Sequence, residues 1–242
     1  MKRYGDVVAL GGVDVGVCAG RVVGLVGPNG SGKTTLLHVA AGLVRADRGE
    51  AIVAGSPAGS RGARTALALV PDEPSGFDEL TVAEFAALVH ALWGAGPAAA
   101  ARAAILVDAF GLGARLGQRL GTLSRGLRRQ ASMIAALSLA PQLLLVDEAT
   151  ATLDPEAVVV LRESVRALAT RGTGVLLATQ DLHFAATACD HIVLLAGGHV
   201  LEQGAPGELC ERHGAGTLED VFLAVLGEGA LAERVREGLA SL

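Results

Sequence analysis

Several residue types are scarce in this chain of 242 residues, and each scarcity excludes a class of protein. The three cysteines, Cys18, Cys189 and Cys210, are too few and too widely spaced to indicate a disulfide framework or a zinc cluster. No apolar run approaches the roughly 18 residues that a membrane-spanning helix needs. Residues 1–6 also lack the apolar core of a secretory signal. We therefore expect reduced thiols and a cytoplasmic protein.

Positive charge is also scarce. The net charge is −5, and the arginines are scattered apart from one short group, Arg125, Arg128 and Arg129. A nucleic-acid interface would gather basic residues on one face, so we predict no nucleic-acid partner. Lysine occurs only at Lys2 and Lys33, which draws attention to the single interior lysine.

The segment around Lys33 has the pattern of a triphosphate-binding loop. It follows an apolar run at 22–26 and reads Gly27-Pro28-Asn29-Gly30-Ser31-Gly32-Lys33-Thr34-Thr35. Glycines allow backbone N–H groups to turn towards phosphates, and the following helix adds the positive end of its dipole. Lys33 would lie between the β- and γ-phosphates, and Thr34 would place its hydroxyl at a magnesium ion. This pattern predicts a nucleoside triphosphate bound with Mg²⁺.

Hydrophobic patterning around this loop predicts a small antiparallel layer. Short β-like runs, separated by glycines, occur at 7–10, 13–18 and 51–54.

Further along the chain, the pattern is helical, because apolar residues recur at three- and four-residue spacing at 84–93, 97–110 and 127–139. The three predicted helices indicate a helical subdomain, which is inserted in the α/β core at about residues 77–140.

The rest of the chain alternates between predicted strands and helices. Strands are predicted at 143–146, 175–179, 191–195 and 199–201, and helices at 155–169, 182–188, 218–226 and 231–239. Such alternation is typical of a parallel sheet covered by helices. We expect one α/β domain over residues 1–226, with a mostly parallel core sheet, and a short helical tail at 227–242.

Two adjacent acids follow the predicted buried strand at 143–146. Asp147 would hold the magnesium ion through its oxygens, and Glu148 would orient the attacking water or accept its proton. The pair follows a strand, as the phosphate loop does. The sequence therefore predicts one site built from Lys33, Asp147 and Glu148.

A third segment makes a family resemblance specific. It reads Leu123-Ser124-Arg125-Gly126-Leu127-Arg128-Arg129-Gln130 and precedes the acidic pair, which is followed by Thr150-Ala151-Thr152-Leu153-Asp154. In order and spacing, over nearly the whole chain, these motifs resemble an ABC-type ATPase, a P-loop NTPase fold. The family signature is usually written LSGGQ; Ser124 and Gly126 match it, whereas Arg125 and Leu127 depart from it. This variant, and the segment at 218–223, resemble the subgroup that serves antibiotic and multidrug exporters with separate membrane subunits.

The resemblance implies partners. Two such domains stack head to tail, as a homodimer or a heterodimer, with ATP between one phosphate loop and the partner's signature. Ser124 and Gly126 would then contact the γ-phosphate across the interface, Asp154 would belong to the nucleotide-binding set, and Tyr4 would stack on adenine. A separate transmembrane permease would hold the protein peripherally on the inner face of the cell membrane.

Two positions outside the signature also depart from the family pattern. Gln180 stands where the family places a histidine that bonds the γ-phosphate, and Asp72 stands where it places a glutamine that contacts the metal; an alignment with Glu73 is the alternative. An aspartate is also a ligand for magnesium. The resemblance implies an ATP-hydrolysing subunit that drives export. The departures leave open an ATP-gated clamp with weak or no turnover, paired with a more complete partner.

Overall fold

The computed structural model describes residues 1–73 and 76–227. Its strands are β1 (Lys2–Tyr4), β2 (Val7–Leu10), β3 (Val22–Val26), β4 (Ile52–Val53), β5 (Ser56–Pro57), β6 (Leu67–Val70), β7 (Leu143–Val146), β8 (Gly174–Thr179), β9 (His191–Ala196) and β10 (His199–Gly204). Its α-helices are α1 (Lys33–Ala40), α2 (Arg61–Ala66), α3 (Val82–Leu92), α4 (Pro97–Ala109), α5 (Arg125–Leu139), α6 (Pro155–Thr170), α7 (Leu182–Ala188), α8 (Pro206–His213) and α9 (Leu218–Leu226).

A six-stranded sheet, in the order β10-β9-β3-β8-β7-β6, forms the centre of the fold. Strands β9, β3, β8, β7 and β6 are parallel to one another, and β10 pairs antiparallel with β9 at one edge. Every residue of β3 and of β8 is buried, as expected for strands covered by helices on both faces. The predicted mostly parallel core sheet is confirmed.

Beside the central sheet lie two separate antiparallel sheets of two strands each, β1 with β2 and β4 with β5. The strand predicted at 13–18 is wrong, because these residues form no strand in the structure. Their side chains alternate between exposed and half-buried, and Val15 and Val17 pack against the core. The side chains of this segment therefore alternate in burial as those of a strand do. A strand also needs backbone hydrogen bonds to a neighbouring strand, and residues 13–18 form no such pairing.

The helices predicted in the middle of the chain are confirmed as α3, α4 and α5. A capping box, formed by Thr81 and Glu84, begins α3, and the Ser124 hydroxyl caps α5.

Some elements were not predicted from the sequence, namely strands β1, β5 and β6 and helices α2 and α8. The predicted helix at 231–239 lies outside the described residues, as does all but the first residue of the predicted tail at 227–242. Within residues 1–73 and 76–227, no helix has the length and apolar character to cross a membrane.

The segment that follows the phosphate-loop helix depends on a close backbone approach. Gly42 has a φ of 72°, and a Cβ there would lie 2.1 Å from the Gly59 nitrogen. Gly49 has a similar φ of 82°, but a Cβ there would meet nothing within 4 Å. The two glycines thus share the backbone conformation and differ in the space around them.

We expect Gly42→Ala to lower the free energy of unfolding by about 1–3 kcal/mol more than Gly49→Ala, because only the first adds a clash to the shared left-handed strain. Urea denaturation of both variants measures the difference. Equal losses in the two variants would contradict the close approach.

Candidate functional site

The loops after four neighbouring strands meet at one edge of the sheet. The phosphate loop follows β3, Gln180 follows β8, Asp147 follows β7, and Pro71 follows β6. These strands are parallel and aligned, so their carboxyl ends lie side by side. Ligands of open α/β sheets bind at such an edge.

The phosphate loop is shaped by glycines at close approaches. Gly32, with a φ of 105°, precedes α1, and a Cβ there would lie 2.5 Å from the Ala9 oxygen of β2. A Cβ on Gly27 would lie 2.0 Å from the Leu195 oxygen of β9. The loop is therefore held between β2 and β9, and larger residues would displace it. The remaining loop residues are Pro28, Asn29 and Gly30, which are exposed, and Ser31, which is buried.

Lys33 is buried beside the acidic pair. Its side chain is 4% exposed, and its ammonium donates to the Gly27 oxygen at 2.8 Å and the Pro28 oxygen at 3.2 Å and lies 3.4 Å from Glu148 Oε1. The Thr34 hydroxyl donates to Asp147 Oδ1 at 3.1 Å. The structure thus brings together Lys33, Thr34, Asp147 and Glu148, as the sequence predicted.

Burial governs the ionisation of Asp147, which is 1% exposed. Desolvation raises the pKa of this carboxyl above its ordinary value, and the hydrogen bond from Thr34 partly opposes the shift. A neighbouring cation would favour the charged form. The Thr34 hydroxyl and the Asp147 carboxylate are hard oxygen donors, which Mg²⁺ prefers, and Mg²⁺ commonly completes its shell with substrate phosphates and water. In the described part of the chain, no group of three or more His, Cys, Asp or Glu residues could hold a metal without such help.

Arg129 is a site residue that the sequence analysis did not single out. It lies on α5, is 1% exposed, and its guanidinium donates to the backbone oxygens of Asp72, Asp147 and Glu148. It also donates to Asp72 Oδ1 at 3.1 Å. The sequence carries no signal that separates Arg129 from Arg128, which is about one third exposed and pairs with Asp78 at 3.6 Å.

Asp72 and Gln180, the two departures from the family pattern outside the signature, lie at the same edge of the sheet. The carboxylate of Asp72 pairs with Arg129 and, at 3.4 Å, with Arg125. The structure shows it engaged by arginines, so metal ligation by Asp72 stays a prediction. Glu73 also pairs with Arg125, at 3.0 Å. Gln180 is exposed immediately after β8, and the next residue, Asp181, caps α7.

The signature residues lie at the start of α5. Ser124 is exposed, and its hydroxyl accepts a hydrogen bond from the Leu127 N–H at 3.3 Å. No hydrogen bond joins Ser124 to the phosphate loop within the part of the chain that the structure describes. A Cβ on Gly126 would lie 2.6 Å from the Thr152 oxygen, which gives this glycine a packing role inside the chain. Asp154 caps α6 by accepting from the Ala157 N–H at 2.8 Å.

Tyr4 lies at the end of β1 and is 49% exposed. It pairs with Val7 of β2, the strand whose Ala9 oxygen contacts the phosphate loop at Gly32. Lys2 lies over its ring at 5.3 Å from the centroid. Its ring is thus accessible and belongs to a hairpin that adjoins the loop.

Comparison with known proteins gives the family. The ABC transporter family model matches residues 10–151. The chain is 38% identical over 221 residues to the daunorubicin/doxorubicin resistance ATP-binding protein DrrA of Streptomyces peucetius, covering 90% of this chain and 67% of that protein. It is 34% identical over 213 residues to the Nod factor export ATP-binding protein I of Burkholderia orbicola, covering 87% and 70% respectively.

Solved structures agree with this result. The structure of an ATP-binding subunit of an ABC transporter superposes with a TM-score of 0.87 at 29% identity, covering 93% of this chain and 96% of that one. A nucleotide-free ATP-binding cassette superposes with a TM-score of 0.74 at 22% identity, which supports the fold. The chain belongs to the ABC transporter family, as an ATP-binding subunit with ATPase activity. The predicted family and fold class are confirmed.

The packing role of Gly126 can be tested with a matched glycine. Both Gly126 and Gly207 are second residues of helices, but a Cβ on Gly207 would meet nothing within 4 Å. We expect Gly126→Ala to lower the free energy of unfolding by about 1–3 kcal/mol through overpacking. Gly207→Ala should be neutral or stabilising, since alanine favours helices. Chemical denaturation compares the two, and a neutral Gly126→Ala would contradict the contact with Thr152.

Proposed function

We propose that this chain is the ATP-hydrolysing subunit of an exporter and binds ATP with Mg²⁺ at the edge formed by β3, β8, β7 and β6. The observation that carries the proposal is the convergence of Lys33, Thr34, Asp147 and Glu148. A glycine-rich loop and the buried Lys33 are suited to binding phosphates, and the neighbouring oxygens of Thr34 and Asp147 are suited to binding magnesium. Tyr4 is the candidate for stacking on adenine.

Each residue has a distinct role in the proposed reaction. Lys33 neutralises phosphate charge, and the N-terminus of α1, including Thr35, adds its backbone dipole. Thr34 and Asp147 would hold Mg²⁺, which supplies charge neutralisation on the phosphate oxygens when bound. Asp72 is a further candidate ligand, once its carboxylate is released from the arginines. Glu148 orients the attacking water and accepts its proton, while Gln180 offers a neutral hydrogen bond to the terminal phosphate.

A second copy, or a related chain, would complete the site. Ser124 is the exposed cap of α5, and Gly126 is half-buried in its first turn, so this end of the helix can serve a nucleotide held by a partner in a head-to-tail dimer. The Ser124 hydroxyl and the helix N-terminus are suited to a γ-phosphate. Asp154, at the start of α6, follows the Thr152 carbonyl that contacts Gly126, and we place it in the same nucleotide-binding set.

Export through a separate transmembrane subunit is the second part of the proposal. Both relatives named above carry names of resistance or export ATP-binding proteins. A permease on the membrane would hold this chain peripherally on the inner face of the cell membrane. Hydrolysis would break the phosphate bridge between the two ATP-binding subunits, and their separation would drive the permease.

The catalytic role of Glu148 is the central test. We expect Glu148→Gln to lower the turnover number by at least about a hundredfold, because the water loses its proton acceptor. Calorimetry with Mg-ATP should give a dissociation constant within a few-fold of that of the unmodified protein. Glu163→Gln, at an exposed position on α6, is the control and should not change turnover. A protein that takes up no Mg-ATP would contradict the proposal.

The weak-turnover alternative depends on Gln180. A histidine there would donate a charge-assisted hydrogen bond, so Gln180→His should raise the turnover number about tenfold if Gln180 limits the chemistry. Gln203→His, on the exposed edge strand β10, is the matched control. If turnover is unchanged in Gln180→His while Glu148→Gln is inactive, the hypothesis that Gln180 limits the rate of ATP hydrolysis is excluded.

A further inference from the structure

Resting on the proposed function, we propose that Arg129 is a positioning residue for ATP hydrolysis, which holds the backbone of the Asp147–Glu148 turn and the loop at Asp72 in their working arrangement. One terminal nitrogen of its guanidinium donates to the Asp147 and Glu148 oxygens. The other donates to the Asp72 oxygen and, at 3.1 Å, to Asp72 Oδ1. A single side chain of α5 therefore joins the loops that follow β6 and β7.

The burial of Arg129 indicates that these contacts matter. Only three charged side chains are buried among residues 1–73 and 76–227, namely Lys33, Arg129 and Asp147. All three lie at the same edge of the sheet. A buried cation is costly unless it is paired and hydrogen-bonded. Desolvation lowers the pKa of the Arg129 guanidinium, and the charges of Asp72, Asp147 and Glu148 oppose this shift.

The backbone that Arg129 holds is strained. Glu148 has a φ of 45°, in the left-handed region that non-glycine residues avoid. Such a conformation persists only where surrounding contacts enforce it. Arg129 donates to the Glu148 oxygen, and the Ala149 N–H donates to the Ala178 oxygen of β8 at 2.8 Å. Together these bonds fix the direction in which the Glu148 carboxylate leaves the chain, towards Lys33.

The geometry requires a guanidinium in particular. Its planar fork has several N–H donors, so it reaches two loops at once, whereas a lysine ammonium is a compact point charge. Arg125, one helical turn earlier, meets the same Asp72 carboxylate at 3.4 Å but is about half exposed. Arg125 contacts neither Asp147 nor Glu148, so the link to the catalytic turn belongs to Arg129.

The experiment compares Arg129→Lys and Arg129→Met with Arg128→Lys and Arg128→Met in the full chain. Arg128 is the adjacent residue, and its ion pair is with Asp78 at 3.6 Å. We expect kcat of both Arg129 variants to fall about tenfold to a hundredfold, because the Glu148 carboxylate would be displaced from its catalytic position. The dissociation constant for Mg-ATP should stay within about threefold. The Arg128 variants should match the unmodified protein.

A readout without turnover accompanies the kinetics. Amide hydrogen exchange at Ala149 and Ala151, whose N–H groups bond the Ala178 and Glu148 oxygens, should quicken in the Arg129 variants. Exchange in β8 should stay unchanged, because its own ladder does not involve Arg129.

Three results would overturn the positioning role. They are kcat values within twofold of the unmodified protein, parallel losses of thermal stability, nucleotide affinity and kcat, or failure of both Arg129 variants to fold. Failure of the proposed function looks different, because the unmodified protein itself would then neither bind nor hydrolyse Mg-ATP. That result would overturn both proposals, whereas an active protein with unaffected Arg129 variants would overturn this one alone.

Discussion

The parallel alignment of four neighbouring strands is the constraint on which the site depends. Val26 of β3 stands beside Thr179 of β8, and Val146 of β7 stands beside Val70 of β6. Because the strands run in the same direction and end at nearly the same level, every loop that leaves them starts at the same edge. Residues more than 100 positions apart, such as Lys33 and Glu148, therefore come within ion-pair distance.

Charge balance at this edge is achieved across loops and not within them. Lys33 faces Glu148, and Arg129 faces Asp72. Both cations are nearly fully buried. Lys33 also donates to backbone oxygens of its own loop, whereas the two terminal nitrogens of Arg129 donate to backbone oxygens of the loops after β6 and β7. A buried ion with incomplete partners would destabilise the fold. The electrostatic requirements of two cations thus help to fix the relative positions of the phosphate loop, the acidic turn and the loop after β6.

Two departures from the family pattern turn out to be neighbours in space. By the family resemblance, Arg125 stands at a signature glycine, and Asp72, or Glu73 in the alternative alignment, stands at a glutamine. The Arg125 side chain forms an ion pair with Asp72 at 3.4 Å and with Glu73 at 3.0 Å. All three groups are exposed at least in part, so the ion pairs contribute little to stability. The ion pairs link the start of α5, where Ser124 and Gly126 lie, to the loop after β6. The glycine and glutamine of the family pattern carry no charge and would not form this link.

Local pattern was enough to locate the phosphate loop, the acidic pair, most helices and every parallel core strand except β6, because glycine spacing, helical periodicity and buried apolar runs are local properties. Tertiary structure decided the rest. Residues 13–18 alternate as a strand does, yet they lack a pairing partner. Arg128 and Arg129 are identical neighbours, but the rotation of α5 exposes the first and buries the second against two loops. Burial and pairing depend on which distant segments pack together, and one segment's sequence does not contain that information.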